Sequence, residues 1–542
     1  MFSYVYVAVP IAVVACVIVS FFIIRYYAAR KEFSAGSIVV ATLSLSLLLT
    51  CLLIIPVDVF SVSSTTDPFT GQKLANTTIE LEAEVVRILY FSLYSLAVIF
   101  CFLVAPFMYF YYEEEDDGET CKTRSCSAAK YSAFFFLVFV IFILLGFLLE
   151  PRSISGEGEG EGTNNLNWLK QIFESQELLA KSMTFVIGCF AFVGTIAYIV
   201  YVAFGMFAAP IGFIRGWAKE QDKDIGVITG EDEETERMAL LSEARKKKYE
   251  DRMSKHIGAL AKYRKQPDQA NDEIRRQRKK RGKVDVSYYF CACMAPVRFA
   301  LGIILLVIGF VVLLTVFLSS LDRILHSNCG LQCGYVLSEV PVGLPGEPFV
   351  PSSALNISST GRSEIINPID YGLFGLAQFF PADYILFLII IGYLFFSSLA
   401  GILGIGLRIV VIQVYPIAPH GTRPQALLLL STYLLFIVSV IIIQLYTLAP
   451  QYTTFGSQTF PVNGTVVPCS LQAPAGACTP SQISTIILTI LGNNDVFAIV
   501  FYFMNWALVA SSIAMGIFGA LRQRDSKGFK ALCRDGDDLL DL

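Results

Sequence analysis

Long runs of apolar residues limit what this chain can fold into more than any other feature. A helix that crosses a bilayer needs about 20 predominantly apolar residues, because the hydrocarbon core is roughly 30 Å thick and each residue rises about 1.5 Å. The sequence contains nine such runs. They lie near residues 5–24, 37–60, 88–112, 131–149, 183–211, 297–317, 384–411, 426–448 and 497–520.

We therefore predict an all-α polytopic membrane protein of about nine transmembrane helices. The composition agrees, because 55% hydrophobic and 16% charged residues make the chain too apolar for an ordinary soluble domain. No basic segment precedes the first run and no small-residue cleavage pattern follows it. We therefore expect this run to be retained as a span and not removed as a signal peptide.

The few charged residues of these runs stand near the ends of the runs. Asp58, Glu150, Asp322, Asp383 and Arg408 all lie at or near the ends of the runs. At these positions we expect water or lipid headgroups to solvate the charges. The sequence therefore gives little support for a pathway built on buried ionisable groups.

Basic residues predict the orientation of the chain. Of the 41 Lys and Arg residues, 34 fall in alternate segments, namely residues 25–31, 113–130, 213–298, 408–423 and the tail. Segments rich in Lys and Arg stay on the cytosolic side, so the N-terminus is predicted to be lumenal. The predicted organisation is spans one to five in 1–212, a charged cytosolic loop in 213–296, spans six to nine in 297–520 and a cytosolic tail in 521–542.

Sequons and cysteines agree with this orientation. Asn76, Asn356 and Asn463 each begin an Asn-x-Ser/Thr sequon in a loop predicted to be lumenal, and we expect them to be glycosylated. Two close cysteine pairs also fall in lumenal loops, where disulfides are stable. We predict bridges between Cys469 and Cys478 and between Cys329 and Cys333.

The long cytosolic loop is charged and rich in helix-forming residues. Helix formers dominate residues 231–263, and Pro267 then interrupts them before a second helical stretch, so we predict a helical hairpin. The basic run at 275–281 is compatible with nucleic-acid binding or with contact to anionic lipid. Beside a predicted span we favour the lipid, and we expect no nucleic-acid partner.

The segment 365–380 is apolar, but it is short and interrupted by Gly and Pro. It cannot span a bilayer, so we predict a re-entrant or lumenal helix. It is the best candidate for a functional irregularity in an otherwise regular bundle.

Motifs for catalysis are missing from the sequence. There is no phosphate-binding loop ending in Gly-Lys-Ser/Thr and no Gly-x-Ser-x-Gly elbow. The three histidines are dispersed, and Cys121 and Cys126 have no further ligand nearby that would suggest zinc. We therefore expect no enzyme activity, no resident metal and no ATP-driven pump within this chain.

The C-terminal tail carries a candidate sorting signal. Asp535 stands four residues before Leu539 and Leu540, a spacing that resembles the acidic dileucine signals read by clathrin adaptors. The tail is therefore predicted to direct the protein to endosomes and lysosomes.

Seven strings resemble the limb-region (LMBR-like) membrane protein family, in matching order from the second span to the ninth. They are PVDVF at 56–60, PFMYFYYEEEDD at 106–117, LSSLDRILHS at 318–327, PADY at 381–384, GTRPQAL at 421–427, LAPQYTTFGSQ at 448–458 and NWA at 505–507. The resemblance implies a nine-span lysosomal membrane protein that assists export of cobalamin (vitamin B12) to the cytosol. It also implies an ATP-binding cassette subfamily D transporter as partner.

The same resemblance leaves several properties open. Cobalamin is expected as cargo, with no covalently bound cofactor and with unknown contact residues. A clathrin adaptor, membrane lipid and a second copy of the chain are further expected partners, and the plasma membrane and endoplasmic reticulum are further locations. The alternatives to an escort are a solute conduit in its own right and a plasma-membrane endocytic receptor.

Overall fold

A computed structural model confirms an α-helical membrane protein. It describes residues 4–29, 35–66, 77–113, 121–148, 184–214, 295–327, 365, 367–377, 379–409, 412–415, 417, 421–462, 465–469, 478–493 and 495–521. Nine helices within these ranges are long and apolar enough to cross a membrane, at Val9–Tyr27, Ala35–Ser63, Glu84–Glu113, Lys122–Leu145, Thr184–Ile214, Pro296–His326, Ala382–Ile405, Pro424–Leu448 and Val496–Phe518. The predicted number of spans is therefore confirmed.

The helices are numbered in chain order. They are α1 Tyr4–Tyr27, α2 Ala35–Ser63, α3 Thr77–Ile99, α4 Ala105–Glu113, α5 Cys121–Leu148, α6 Thr184–Ile214, α7 Ala295–His326, α8 Pro368–Leu376, α9 Ala382–Ile405, α10 Pro424–Leu448, α11 Pro450–Phe455, α12 Gln482–Asn493 and α13 Asp495–Leu521. The strands are β1 Leu407–Ile409, β2 Ile412–Tyr415, β3 Thr459–Val462 and β4 Thr465–Pro468.

The third span consists of two helices joined by a π-helical turn. The turn covers Phe100–Val104 between α3 and α4, two residues before Pro106, which has no N–H group for the helical ladder. Within the turn, the buried ring of Phe102 stacks on Phe139 at a centroid distance of 5.8 Å. The turn therefore places an aromatic contact between the third and fourth spans.

Within the described residues the chain divides into two compact units. The larger one contains the described residues up to Ala208 and from Val307 to Leu521. Here α2 and α10 are mostly buried and in mutual contact, and α10 also contacts α4, α9, α11 and α12. Helices α1 and α5 instead expose apolar side chains such as Ile11 and Phe134, as helices that face lipid do.

The smaller unit contains described residues 209–214 and 295–306. In it, the end of α6 packs against the start of α7. A Cβ atom on Gly302 would lie 2.9 Å from a side-chain carbon of Ile214 and 3.1 Å from the carbonyl oxygen of Pro210. The absent side chain of Gly302 is therefore what lets the two helices approach.

Glycine also brings α6 close to α9 in the larger unit. A Cβ atom on Gly205 would collide with the carbonyl oxygen of Ser397, and one on Gly401 would collide with the carbonyl oxygen of Tyr201. The two contacts are reciprocal, since each helix supplies one glycine and one carbonyl. Small residues allow such backbone contact between membrane helices.

The predicted end of the seventh span was wrong. The apolar run continues to residue 411, but α9 ends at Ile405, and Gly406 follows with φ 82° and ψ 168°. This backbone conformation suits glycine because it has no Cβ. Strand β1 then pairs antiparallel with β2, with Ile409 opposite Ile412, so these β-branched residues form a hairpin and not a helical turn.

The segment 365–380 forms a short helix, as predicted. The side-chain oxygen of Asn367 accepts hydrogen bonds from the backbone N–H groups of Ile369 (3.1 Å) and Asp370 (3.2 Å). Pro368 occupies the first helical position, where the lack of an N–H has no cost. These two signals explain why α8 begins where it does. Its depth relative to the membrane stays a prediction.

Candidate functional site

Three buried aspartates gather at one end of the larger unit. Asp58 of α2 and Asp383 of α9 are each 1% exposed, and Asp370 of α8 is 6% exposed. All three bind the chain that follows α10. We call these three residues, together with the described residues of 449–483, the aspartate cap.

The prediction that these carboxylates would be solvated at the span ends was wrong. Asp58, Asp383 and also Asp322, which is 4% exposed, are buried. For Asp58 and Asp383 the reason is that the chain after α10 folds back over the ends of α2, α8 and α9, because α11 contacts α2 and α8 and its Tyr452 binds Asp383 of α9. Glu150 lies outside the described residues, as does the side chain of Arg408.

Asp58 caps a helix that is distant in sequence. Its Oδ2 accepts a hydrogen bond from the backbone N–H of Ile483 (2.9 Å), and its Oδ1 accepts one from Gln482 (3.3 Å). These are among the first N–H groups of α12, which have no partner within their own helix. Ser481 accepts a further bond from the N–H of Ser484 at 3.1 Å. A negative charge at a helix N-terminus is also favoured by the helix dipole.

Asp370 holds the start of α11 in the same way. Its Oδ1 accepts a hydrogen bond from the N–H of Tyr452 (3.0 Å) and its Oδ2 accepts one from the N–H of Gln451 (3.1 Å). Burial raises the pKa of the Asp370 carboxyl to about 7, and the two N–H donors only partly oppose this shift. Its charge therefore changes near neutral pH.

Asp383 holds the other end of Tyr452. The tyrosine hydroxyl donates to its Oδ2 at 2.8 Å, whereas its Oδ1 is buried without a hydrogen-bond partner among the described residues. The ring of Tyr452 is fully buried and lies edge-on to Phe374 and Phe387. Tyr452 is thus fixed by a carboxylate at each end and by aromatic rings between them.

A disulfide closes the aspartate cap. The structure joins Cys469 to Cys478, as predicted. Gln458 holds both sides of the bridge, because its backbone oxygen accepts from the N–H of Cys469 (2.9 Å) and its Oε1 accepts from the N–H of Thr479 (3.0 Å). The Oε1 atom also accepts from the hydroxyl of Thr65, at 3.2 Å. The disulfide segment is therefore bound to the end of the second span.

We expect Cys469 and Cys478 to resist thiol labelling in native, unreduced protein, because both are bonded. Cys126 is an exposed free cysteine and serves as the control, since it should react readily. Replacing both bonded cysteines by serine should lower the free energy of unfolding by about 2 to 4 kcal/mol. Mass spectrometry of labelled peptides measures the first result, and thermal unfolding in detergent measures the second. Labelling of Cys469 to the same extent as Cys126 would contradict the bridge.

A carboxylate on α7 reaches the residues before α8. Oδ1 of Asp322 lies 2.7 Å from Nδ1 of His326, one helical turn later, and also accepts a long hydrogen bond of 3.4 Å from the N–H of Ile365. Asp322 therefore links the end of the sixth span to the segment that supplies Asp370.

The opposite end of α2 carries a cluster of tyrosines that we call the tyrosine platform, comprising Tyr109, Tyr111, Tyr112 and Tyr415. The hydroxyls of Tyr109 and Tyr415 lie 3.4 Å apart. The backbone oxygen of Tyr112 accepts a hydrogen bond from Gln425 (3.0 Å), and Arg124 stacks over the ring of Tyr111. The platform therefore joins α4, α5, β2 and α10.

The strings noted in the sequence converge on these two ends. Those at 56–60, 381–384 and 448–458 meet in the aspartate cap, and the described part of the string at 106–117 meets the string at 421–427 in the tyrosine platform. Sequence reasoning missed Asp370, Gln451, Tyr452 and Gln458 as parts of one site. A local signal existed only for Asp370, because Asn367 and Pro368 mark the start of its helix.

The other predicted site residues lie outside the described residues. They are Asn76, Asn356 and Asn463, the pair Cys329 and Cys333, the sorting residues Asp535, Leu539 and Leu540, and the helical hairpin predicted within 213–296. Within the described ranges, no three His, Cys, Asp or Glu side chains come together as a metal site would require. The chemistry that the aspartate cap offers is hydrogen bonding and proton binding.

Comparison with known proteins gives consistent matches over most of the chain. The family model "LMBR1-like membrane protein" matches residues 5–293. The chain is 30% identical to the "Lysosomal cobalamin transport escort protein LMBD1" of Gallus gallus, over 92% of this chain and 90% of that protein. It is 26% identical to the "Probable lysosomal cobalamin transporter" of Nematostella vectensis, over 95% and 93%.

A protein of the same description from Coccidioides immitis is 30% identical over 92% of this chain and 87% of its own length. No solved structure matches this chain. The similarity therefore rests on sequence, and it extends over both ends of the helical bundle.

Proposed function

We propose, from the premise that this chain belongs to the LMBR1-like membrane protein family, that it is a multi-pass lysosomal membrane protein that takes part in exporting cobalamin. The observation that carries the proposal is the near full-length similarity to relatives named as lysosomal cobalamin transporters or escort proteins. A match over more than 90% of the chain leaves little room for a different architecture.

In the proposed orientation the aspartate cap faces the lumen and the tyrosine platform faces the cytosol. The alternation of basic residues supports this arrangement, because the segments that flank the platform carry them. The disulfide of the aspartate cap supports it as well, since disulfides persist in oxidising compartments.

Within cobalamin export, we favour the role of escort for an ATP-binding cassette subfamily D transporter. The sequence has no phosphate-binding loop, so this chain needs a partner to couple transport to ATP. The backbone contacts of α6 with α9 also support a tightly packed bundle without a wide passage between those two helices. The clathrin adaptor and the sorting role of Asp535, Leu539 and Leu540 stay proposals of the same kind.

A solute conduit is the second candidate, and one observation favours it. Gln444 of α10 is fully buried, and both polar atoms of its side-chain amide lack a partner among the described residues. The amide oxygen of Asn505 in α13 is also buried without a hydrogen-bond partner among the described residues. Unsatisfied polar groups at membrane depth cost several kcal/mol, so such groups are typical of sites that hold water or a solute.

Reconstitution separates the two roles. We expect the purified chain alone in liposomes to give no cobalamin flux above protein-free vesicles. Adding the subfamily D transporter and ATP should give flux, and the two proteins should co-purify. Flux from the chain alone that falls when Gln444 is replaced by leucine would overturn the escort and establish the conduit. Gly392→Ala, in an open position on α9, is the control for nonspecific effects of substitution.

A further inference from the structure

The turn between α8 and α9 presents two phenylalanines to the outside of the protein. Phe379 and Phe380 are 68% and 70% exposed, which makes them the most exposed aromatic side chains of the described residues. We propose that this turn lies in the lipid of the membrane and holds α8 at the level of the headgroups, beside the end of the seventh span. In the proposed orientation the leaflet is the lumenal one, and only this assignment rests on the proposed function.

Hydrogen bonds give the turn a defined shape. The backbone N–H of Phe379 donates to the carbonyl oxygen of Leu376 (2.8 Å), and the N–H of Ala382 donates to the carbonyl oxygen of Phe379 (2.7 Å). The first bond joins the turn to the end of α8, and the second joins it to the start of α9. Both bonds satisfy backbone groups that lipid could not satisfy.

The ring of Phe380 places the turn beside the ends of two spans. Its centroid lies 6.2 Å from that of Phe60 and 5.9 Å from that of Tyr384, and the rings of Phe60 and Tyr384 are 5.4 Å apart. Phe60 belongs to the last turn of α2, and Tyr384 belongs to the first turn of α9. The turn is therefore level with the ends of both spans, which is where aromatic side chains concentrate in membrane proteins.

The exposed side of α9 leads directly into this turn. Large apolar side chains are exposed along one side of the helix, namely Ile385, Leu388, Ile389 and Phe396. Pro381 is exposed one helical turn before Ile385, so it continues the same side to the turn. An extended apolar surface on a membrane-spanning helix is the surface that meets lipid. The two phenylalanines extend this surface beyond the helix, so lipid is the partner that fits them.

The composition of the segment also favours lipid over a charged partner. Residues 371–382 contain no Asp, Glu, Lys, Arg or His. Segments that bind membranes through Lys and Arg depend on anionic headgroups, but an uncharged apolar segment does not. We therefore expect the contact to be the same in zwitterionic and in anionic bilayers.

The other side of α8 belongs to the aspartate cap. Ile369, Leu373 and Phe374 are buried, and Asp370 accepts hydrogen bonds from the start of α11. Contact of the turn with lipid would therefore fix α8 from outside, while Asp370 connects α8 to the chain after α10. The membrane thus supports the aspartate cap through a helix that does not span it.

Photocrosslinking of the full-length chain in lipid nanodiscs tests the proposal. The photoreactive residue p-benzoylphenylalanine takes the place of Phe379, which keeps an aromatic ring at this position. The nanodiscs contain phosphatidylcholine alone or phosphatidylcholine mixed with phosphatidylglycerol, and mass spectrometry identifies the molecule attached to residue 379. We expect phospholipid adducts in both kinds of nanodisc.

Two further positions are the controls. Phe396 is 64% exposed on the same side of α9 and within the span, so it should give phospholipid adducts. Val466 is exposed on β4, in the hairpin that carries the sequon of Asn463, so it should give none. Adducts at 396 without any at 379 would overturn the proposal. Crosslinking of 379 to protein instead of lipid, or equal lipid adducts at 379 and 466, would also overturn it.

A second measurement keeps the test decisive if the photoreactive chain does not fold. The variant Phe379→Trp adds a fluorophore to the three natural tryptophans, whose signal is subtracted by use of the natural protein. The added fluorescence should be quenched by phosphatidylcholine that is brominated on its acyl chains, and it should resist aqueous iodide. Quenching by iodide and not by the brominated lipid would place residue 379 in water and contradict the proposal. Both measurements use the purified chain without cobalamin or a partner, so they can fail independently of the proposed function.

Discussion

Replacing Gly401 by alanine should destabilise the protein by about 1 to 3 kcal/mol, the usual cost of overpacking a well-packed core. The added Cβ would collide with the carbonyl oxygen of Tyr201 on α6, and a backbone atom cannot move aside as a flexible side chain can. The two helices would have to separate, which would also disturb the reciprocal contact at Gly205. Thermal unfolding in detergent, followed by size-exclusion chromatography, measures the loss.

Gly392→Ala is the matched control, because Gly392 lies on the same helix α9. A Cβ there would meet only the ring of Phe396, at 4.0 Å. Alanine is favoured over glycine in a helix by about 1 kcal/mol, so this variant should be as stable as the natural protein or slightly more stable. If the two variants unfold at the same temperature, the close contact between α6 and α9 does not exist.

Replacing Asp58 by alanine should lower the free energy of unfolding by about 2 to 4 kcal/mol. The change leaves the backbone N–H groups of Gln482 and Ile483 without an acceptor in a buried place, and each such group costs about 1 to 3 kcal/mol. The helix dipole of α12 also loses its negative partner. Hydrogen exchange of the first turn of α12 should rise markedly, while exchange in α1 should not change.

The variant Asp58→Asn distinguishes the effect of losing a hydrogen-bond acceptor from the effect of losing the negative charge. Asparagine retains one side-chain oxygen and is a good helix cap, so this variant should lose less stability than Asp58→Ala. Unchanged exchange in residues 482–485 of the alanine variant would show that Asp58 does not cap α12.

The two ends of the bundle differ in what they contribute to the proposed role. The aspartate cap is buried, and the hydrogen bonds of its carboxylates hold the chain after α10 against the ends of α2, α8 and α9. The tyrosine platform joins α4 to α5, β2 and α10, and it lies on the cytosolic side in the proposed orientation. The two ends are connected by α2 and α10, which are the most buried of the nine candidate spans in the described residues.

The sequence by itself determined the nine spans, a short helix within 365–380 and the Cys469–Cys478 bridge. These features depend on local properties, because the length of an apolar run sets whether it can span a bilayer. Asn367 and Pro368 likewise set the start of α8 locally. The side chain of Asn367 caps the helix, and Pro368 occupies the first helical position, where no N–H group is needed. Two cysteines nine positions apart are also close in any compact loop.

Only the tertiary structure decided whether the carboxylates at the span ends were solvated or buried. Asp58 is bound to Ile483, which is 425 residues away in the sequence, and Asp370 to Tyr452, which is 82 residues away. The seventh span also ends earlier than predicted, because Gly406 turns the chain at a point where the run of apolar residues continues. Burial and hydrogen bonding of a polar residue depend on what packs across it, and that partner is not encoded in the neighbouring residues.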